Sequence, residues 1–320
     1  MVVAITGGGW IAHYLTTTTP LPTTPFEFNV KPGTTMRGVA QQLAQEGVVA
    51  QPLLFTWMAR LSGKGSALKA GNYELEAALT PWDLLQKLTK GDVTLSEVKF
   101  IEGWTFQQMR QALDRAPGLQ HETQALSPEE IMVRLGFPDQ HPEGRFFPDT
   151  YFFSSGMSDL GILARAHKLM QAQLDSAWRE RAPNLPYATP DEALIMASII
   201  EKETGQAIER PMIAGVFINR LRIGMLLQTD PTVIYGLGES FDGNLRRRDL
   251  LTDTPYNTYT RAGLPPTPIA MPGLGALQAA LHPAQTQALY FVARGNGLHQ
   301  FSSTLAQHNQ AVNRYQRNQK

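Results

Sequence analysis

Apolar and polar positions in the first third of the chain follow the spacings of short strands and amphipathic helices. The stretch "FEFNV" at residues 26–30 alternates like a half-buried strand, and "MRGVAQQLAQEG" after it repeats apolar residues at helical intervals. A second helix is predicted over "PLLFTWMARLSG", and a second strand over "KAGNYELEA". A third helix is predicted from Thr80-Pro81 to Gly91, because proline is favoured in the first turn and glycine just after the last. The pattern therefore predicts a small α+β module over residues 26–95.

The apolar run before this module is shorter than a membrane span. It covers residues 1–15 and includes three glycines, whereas a spanning helix needs about 20 apolar residues. It also lacks the positively charged leader and the cleavage site of a signal peptide. A fragment of a membrane anchor, an interfacial segment and a disordered leader all remain open for it. The threonines and prolines of residues 16–25 predict a linker.

The stretch "PDEALIMASIIEKETG", residues 190–205, predicts a buried helix whose last turn carries two carboxylates. Proline and two acids form its first turn, a nearly all-apolar run follows, and a glycine stands at its end. At about 100° per residue, Glu203 falls in line with Ile199 and Ile200, whereas Glu201 falls on another side of the helix. The two glutamates are therefore expected to face different surroundings.

A carboxylate beside buried isoleucines loses solvation, which disfavours its ionised form and raises its pKa. A raised pKa is what a general acid needs near neutral pH, so Glu203 is the predicted acid. The alternative is that both glutamates pair with Lys202, Arg210 or solvent at an ordinary helix end.

Two segments rich in hydrogen-bonding side chains follow this helix. They are "LLQTDPTVIYG", which predicts a turn around its Asp-Pro pair, and "YNTYTRAGLPPTPIAMPG", which has little helix or strand potential. Long irregular segments of this kind are commonly functional, so we interpret both as substrate walls. The candidate substrate-binding residues in them are Gln228, Thr229, Asp230, Tyr235, Asn257 and Tyr259. A further stretch, "EGRFFPDTYFF", fits either an aromatic core strand or a sugar-stacking surface.

The amino-acid composition and the absence of several motifs exclude some classes of function. Lys and Arg number 28, as do Asp and Glu, so the formal net charge is zero and the basic field of a nucleic-acid-binding protein is missing. The absence of cysteine excludes disulfides, thiolate nucleophiles and cysteine-ligated zinc. No metal-ligand spacing, Walker loop, nucleophile elbow or dinucleotide fingerprint is present, so no metal or cofactor is expected.

Four stretches, in order and spacing, resemble the YceG-like endolytic murein transglycosylases from about Phe28 to the C-terminus. They are "ASIIEKET", "VFINRLRIGMLLQTDPTVIYG", "YNTYTRAGLPPTPIAMPG" and "LYFVARGNGLHQFSSTLAQHN". The resemblance implies an α+β fold in which a LysM-like glycan-binding module at residues 26–95 and a connecting α/β region at 96–185 precede a catalytic region at 186–320. It also implies that residues 1–25 hold the remnant of a single-pass inner-membrane anchor and a linker, with the catalytic domain in the periplasm.

The same resemblance implies a reaction. The second glutamate of the E-x-E-[TS] motif, Glu203 here, would be the catalytic acid at the end of the buried helix. The enzyme would cleave the MurNAc-β-1,4-GlcNAc bond of nascent peptidoglycan, leave 1,6-anhydro-MurNAc ends and so terminate glycan elongation. Its expected partners are glycan strands and peptidoglycan synthases, that is, penicillin-binding proteins. Two alternatives stay open: a muramidase that hydrolyses the same bond, and a non-catalytic LysM-type peptidoglycan-binding protein.

Overall fold

Contacts within the chain define two units. The computed structural model describes residues 13–31, 33–91 and 95–317. The first unit contains the described residues up to Glu97 together with Ala116–Gln120 and Phe152–Ser158; the second contains Val98–Arg115, His121–Tyr151 and the described residues from Asp159 onward. Most of residues 96–185, predicted as a connecting region, therefore lies in the second unit.

The first unit has the predicted order of strand, two helices, strand and helix. Strand β1 (Phe26–Val30) pairs antiparallel with β2 (Gly71–Leu75), and Phe26 lies opposite Leu75. The helices are α1 (Met36–Gln45), α2 (Pro52–Leu61) and α3 (Pro81–Lys90). The sequence prediction for these elements is confirmed to within a few residues.

Local chemistry explains where the helices of this unit begin and end. The Thr35 hydroxyl accepts the backbone N–H of Gly38 at 3.1 Å, and the Thr80 hydroxyl accepts that of Asp83 at 3.1 Å. Each bond satisfies an N–H that the helix itself leaves unpaired. The apolar faces enclose one core, which includes Phe28, Val30, Val39, Leu43, Phe55, Tyr73, Leu85 and Leu88.

The N-terminal anchor prediction falls mostly on residues 1–12, which lie outside the described ranges. Of residues 16–25, predicted as a linker, Thr16 ends a helical turn, and residues 17–25 contain no helix or strand. Across residues 13–31, 33–91 and 95–317, no helix combines the length and the hydropathy that crossing a membrane requires.

The remaining elements are helices with two short sheets. The helices in chain order are α4 (Phe106–Arg115), α5 (Pro128–Leu135), α6 (Asp159–Arg179), α7 (Pro190–Glu203), α8 (Arg210–Arg222), α9 (Asp230–Leu237), α10 (Arg247–Leu251), α11 (Leu274–Leu281) and α12 (Leu305–Val312). The strands are β3 (Ser96–Lys99), β4 (Thr150–Phe153), β5 (Tyr290–Ala293) and β6 (His299–Ser302). Strand β3 pairs with β4, and β5 pairs antiparallel with β6. The α+β fold class is therefore confirmed.

Helix α7 is the centre of the second unit's core. Residues 193–200 are buried without exception, and the helix packs against α6, α8, α9 and α11. Its one buried hydroxyl, that of Ser198, donates to Ile195 O at 2.7 Å and accepts the N–H of Ile269 at 3.0 Å. The second bond fixes the irregular segment 256–273 to the helix, since that segment has no regular pairing of its own.

Two local predictions have different outcomes. The turn predicted around Asp230-Pro231 is wrong: Asp230 is the first residue of α9. A proline in the first turn lacks only an N–H that would have been unpaired anyway, and an acid there suits the helix dipole. In "EGRFFPDTYFF", by contrast, Phe146, Tyr151 and Phe153 are buried, which confirms the core interpretation for these three aromatic residues.

Candidate active site

The last turn of α7 presents Glu201 and Glu203 to different groups. The helix begins after Thr189, whose hydroxyl accepts the N–H of Glu192 at 3.3 Å. It ends at Glu203, because Thr204 adopts an extended conformation with φ −148°.

Glu201 is tied into the fold by a cation and a backbone amide. Arg210 Nη2 lies 3.0 Å from Oε1, and the N–H of Gly273 donates to Oε2 at 3.0 Å. Burial raises the pKa of the carboxyl, while the Gly273 hydrogen bond and the Arg210 charge oppose that rise. Glu201 therefore connects α7 to α8 and to the start of α11.

Glu203 faces a neutral hydroxyl and a mixed set of charges. The Thr229 hydroxyl donates a hydrogen bond to its Oε1. Burial is the main cause that raises the pKa of Glu203, and the Thr229 bond opposes it. The negative charge of Asp230 raises that pKa further, whereas the positive charges of His299, when its ring is protonated, and of Arg220 lower it. The balance keeps a proton on this carboxyl to higher pH than on an ordinary glutamate.

Burial alone does not separate the two glutamates, since both have raised pKa values for the same first cause. Their partners separate them. The ordinary helix-end alternative applies to Glu201, which pairs with Arg210, while Lys202 Nζ donates instead to Gly103 O at 3.1 Å.

Glu203 opens onto a cleft of about 310 Å³. Four of the sequence candidates lie at or beside it: Gln228, Asp230 and Tyr259 line its wall, and Thr229 holds the carboxyl. The other lining residues are Arg220, Leu227, Phe291, Val292, Ala293, His299, His308, Val312 and Gln316. The wall thus combines apolar side chains with polar and charged groups of both signs.

The backbone at Gln228 is unusual for a residue with a side chain. Its φ is 51°, in the left-handed region, and its N–H donates to Thr258 O at 3.1 Å. The next N–H, that of Thr229, donates to the Thr258 hydroxyl at 3.1 Å. These bonds hold both side chains at the cleft.

Asp230 and Tyr259 form a polar pair on the cleft wall. The Tyr259 hydroxyl donates to Asp230 Oδ1 at 2.5 Å, and burial followed by this bond raises the pKa of the phenol. The orientation of the Asp230 carboxylate is thus fixed by a neutral donor.

Tyr235 and Asn257 are not among the described residues that line the cleft. The amide of Asn257 is buried and donates to the carbonyls of Leu250 and Thr252 at 3.1 and 2.6 Å. The Tyr235 hydroxyl donates to Glu143 Oε2 at 3.2 Å, and burial raises the pKa of Glu143 to about 7. Both side chains hold segments of the fold that surround the site.

Sequence reasoning missed Arg220 and His299. Arg220 is buried, and its guanidinium donates to Leu289 O and Leu227 O at 2.7 Å each, which joins α8 to the two segments that border the cleft. An arginine at the end of a helix as apolar as "PMIAGVFINRL" was the available signal for it. No local pattern marks His299, whose partner Glu209 lies 90 residues earlier.

Comparisons of the sequence and of the structure with known proteins all find YceG-like proteins or endolytic murein transglycosylases, and the matches cover most of the chain. The model of the YceG-like family matches residues 28–314. The endolytic murein transglycosylase of Bacillus subtilis strain 168 is 33% identical over 310 residues, covering 91% of this chain and 85% of that enzyme. That of Streptococcus pneumoniae strain D39 is 29% identical over 294 residues, and the match covers 82% of this chain and 53% of that enzyme. A crystal structure of a yceG-like protein from Listeria monocytogenes superimposes with a TM-score of 0.60 at 31% identity, over 89% of this chain and 98% of that one.

Proposed function

This chain belongs to the YceG-like family, and from that premise we propose that it is an endolytic murein transglycosylase whose catalytic acid is Glu203. The observation that carries the proposal is the surroundings of this carboxyl: it lines an open cleft, no cation is bonded to it among the described residues, and burial raises its pKa. A group of this kind can give and take a proton within one reaction cycle.

In the first step, protonated Glu203 gives its proton to the oxygen that bridges MurNAc and GlcNAc, and the C1–O bond breaks. Positive charge develops on C1 and the ring oxygen as the bond lengthens. The carboxylate of Asp230, on the same wall of the cleft, stabilises that charge electrostatically.

In the second step, ionised Glu203 takes the proton of the MurNAc C6 hydroxyl while that oxygen bonds to C1. The product is a 1,6-anhydro ring, and Glu203 is protonated again. The Thr229 hydroxyl favours the proton release of the first step, because its hydrogen bond stabilises the carboxylate that exists between the two steps.

The saccharide is held by the remaining polar groups of the wall. We assign Gln228, Asp230 and Tyr259 to direct contacts with sugar hydroxyls, and Thr229 to the positioning of the acid. Tyr235 and Asn257, predicted from the sequence as substrate contacts, are assigned here to the segments that shape the cleft, in keeping with their bonds to Glu143 and to backbone carbonyls.

Further proposals concern the rest of the chain. The strand–helix–helix–strand layout of residues 26–95 supports a LysM-like module that binds glycan strands. Anchoring to the inner membrane through residues 1–25, a periplasmic location and a partnership with peptidoglycan synthases are inferences from the resemblance alone.

Mass spectrometry of digested peptidoglycan tests the reaction. A transglycosylase releases products with 1,6-anhydro ends, which lack one water relative to the reducing ends that a muramidase leaves. The muramidase alternative draws support from Asp230, a second carboxylate in the cleft, because hydrolases commonly use two. Anhydro products that disappear in Glu203→Gln would support the proposal. Reducing ends would select the muramidase, and no release at all would select a binding protein.

A further inference from the structure

Glu209 and His299 form a buried pair at the edge of the cleft. Glu209 ends the short 3-10 helix Ala207–Glu209, and His299 begins β6. Glu209 Oε1 accepts the backbone N–H of His299 at 2.8 Å, and Oε2 lies 2.8 Å from its Nδ1. The side chains are only 14% exposed for His299 and 10% for Glu209. One carboxylate thus holds both the backbone and the ring of a single histidine.

This arrangement decides which nitrogen of the ring is free. A carboxylate accepts hydrogen bonds, so Nδ1 carries a proton, and in the neutral imidazole Nε2 is then an acceptor. Among the residues that the structure describes, Nε2 has no hydrogen-bond partner, and it is not one of the buried unpaired atoms. The same ring lines the cleft with Glu203. An oriented, solvent-accessible acceptor therefore stands near the acid.

Packing fixes the ring as well as its tautomer. Phe291 meets it edge to face, with centroids 5.4 Å apart and an interplanar angle of 88°. A buried pair of a carboxylate and a histidine need not add to the stability of the fold, because well-packed apolar residues can often replace such a pair at little cost in free energy. The same pair is what catalytic and metal sites use to aim an imidazole.

We propose that Glu209 orients His299 so that its Nε2 accepts a hydrogen bond from a hydroxyl group of the saccharide bound beside Glu203. The proposal rests on the proposed function, since it takes the cleft to be a saccharide site. His299 is then a substrate-contacting residue, and Glu209 is a positioning residue that acts through it. Arg220 also lines the cleft, but its Nε and Nη1 already donate hydrogen bonds to the backbone carbonyls of Leu289 and Leu227.

Glu209→Gln tests the pair with almost no change of shape. The amide oxygen still accepts the backbone N–H of His299, but the amide NH₂ now faces Nδ1 and requires it to accept. The proton moves to Nε2, which turns the cleft acceptor into a donor. We expect kcat/KM on uncrosslinked glycan strands to fall about tenfold, the size of one hydrogen bond lost to a buried partner. Thermal unfolding of the same variant reports any loss of folding.

Two substitutions of the histidine complete the experiment. His299→Gln keeps an acceptor on a side chain of similar reach, so it should retain several times the kcat/KM of His299→Ala. A role confined to packing predicts no such rescue. The matched control is Glu130→Gln in α5, which also replaces a carboxylate that accepts a backbone N–H, that of Ser127 at 2.7 Å, and should leave turnover unchanged.

Each outcome decides between the two proposals. If Glu209→Gln and His299→Ala keep wild-type kcat/KM while Glu203→Gln is inactive, the role of the pair is overturned and the proposed function stands. If Glu203→Gln keeps its activity, the proposed acid is wrong whatever the pair does. If Glu209→Gln folds poorly, the comparison of His299→Gln with His299→Ala decides alone, and equal values overturn the proposal.

Discussion

Glu201 and Glu203 lie in the same last turn of α7 but have different partners. On one side of the helix, both carboxylate oxygens of Glu201 are bonded within the fold, one to the guanidinium of Arg210 and the other to the N–H of Gly273. On the other side Glu203 meets one neutral hydroxyl, from Thr229, and an open cleft. Both carboxyls are buried enough for their pKa values to rise. The two carboxyls differ in their partners more than in their burial, and under the proposed function this difference separates the structural group from the reactive one.

The largest expected effect is on catalysis. Glu203→Gln keeps the size and the hydrogen bond of the side chain but removes the transferable proton, so cleavage of glycan strands should fall about 100- to 10,000-fold. Release of anhydro products from purified peptidoglycan measures it. Glu201→Gln is the matched control and should stay within a few-fold of wild type per folded molecule. The reverse result would assign the acid to Glu201.

The second effect is on stability and concerns the other side of the turn. Arg210→Met leaves the carboxyl of Glu201, only 5% exposed, without its cation, so the free energy of unfolding should fall by about 3 kcal/mol. Urea unfolding measures the loss. Arg261→Met is the control, because Arg261 and its partner Asp253 are 52% and 57% exposed, and a pair open to solvent contributes less than about 1 kcal/mol. Equal losses in the two variants would contradict the role of Arg210.

The third effect is a shift of the pH profile. The Thr229 hydroxyl stabilises ionised Glu203 and lowers its pKa, so Thr229→Val should raise that pKa further. Glu203 then keeps its proton to higher pH, and the alkaline limb of the kcat/KM profile moves to higher pH. Thr229→Ser keeps the hydroxyl and should leave the limb in place. A limb that moves down in Thr229→Val would show that this bond favours the protonated form.

The smaller of the two expected pH shifts has the opposite sign. The charge of Asp230 raises the pKa of Glu203, so Asp230→Asn should lower it and bring the alkaline limb to lower pH. The amide oxygen can still accept from Tyr259, so the local geometry is kept. Shifts in the same direction for Thr229→Val and Asp230→Asn would contradict the role given to one of the two groups.

What the sequence predicted well was local. Helix α3 was predicted from Thr80, Pro81 and Gly91 because these residues pair or release backbone groups within a few positions of themselves. The start of α9 was mispredicted because Asp-Pro suits both a turn and a helix N-terminus, and tertiary packing decided between them.

What the sequence could not supply was long-range. Helical phase pointed to Glu203, but α7 is buried on every side along residues 193–200, so phase alone could not separate its surroundings from those of Glu201. Glu201 is bonded to Arg210 and Glu203 to Thr229, and these pairings depend on how α8 and the segment before α9 pack against α7. The pairing of His299 with Glu209, across 90 residues, lies beyond any local pattern.

The left-handed backbone of Gln228 has a consequence for how this site can change over time. Residues other than glycine rarely adopt φ near 51°, so the backbone of Gln228 carries a conformational penalty that the fold tolerates. Selection for heat resistance alone would favour glycine here, because it relieves the strain without disturbing a contact of the core. Under the proposed role of Gln228 in holding the saccharide, selection for turnover would oppose that change, because the amide would be lost. Gln228 is therefore a residue at which the two pressures act in opposite directions, and homologues from hot environments are the place to look for the compromise.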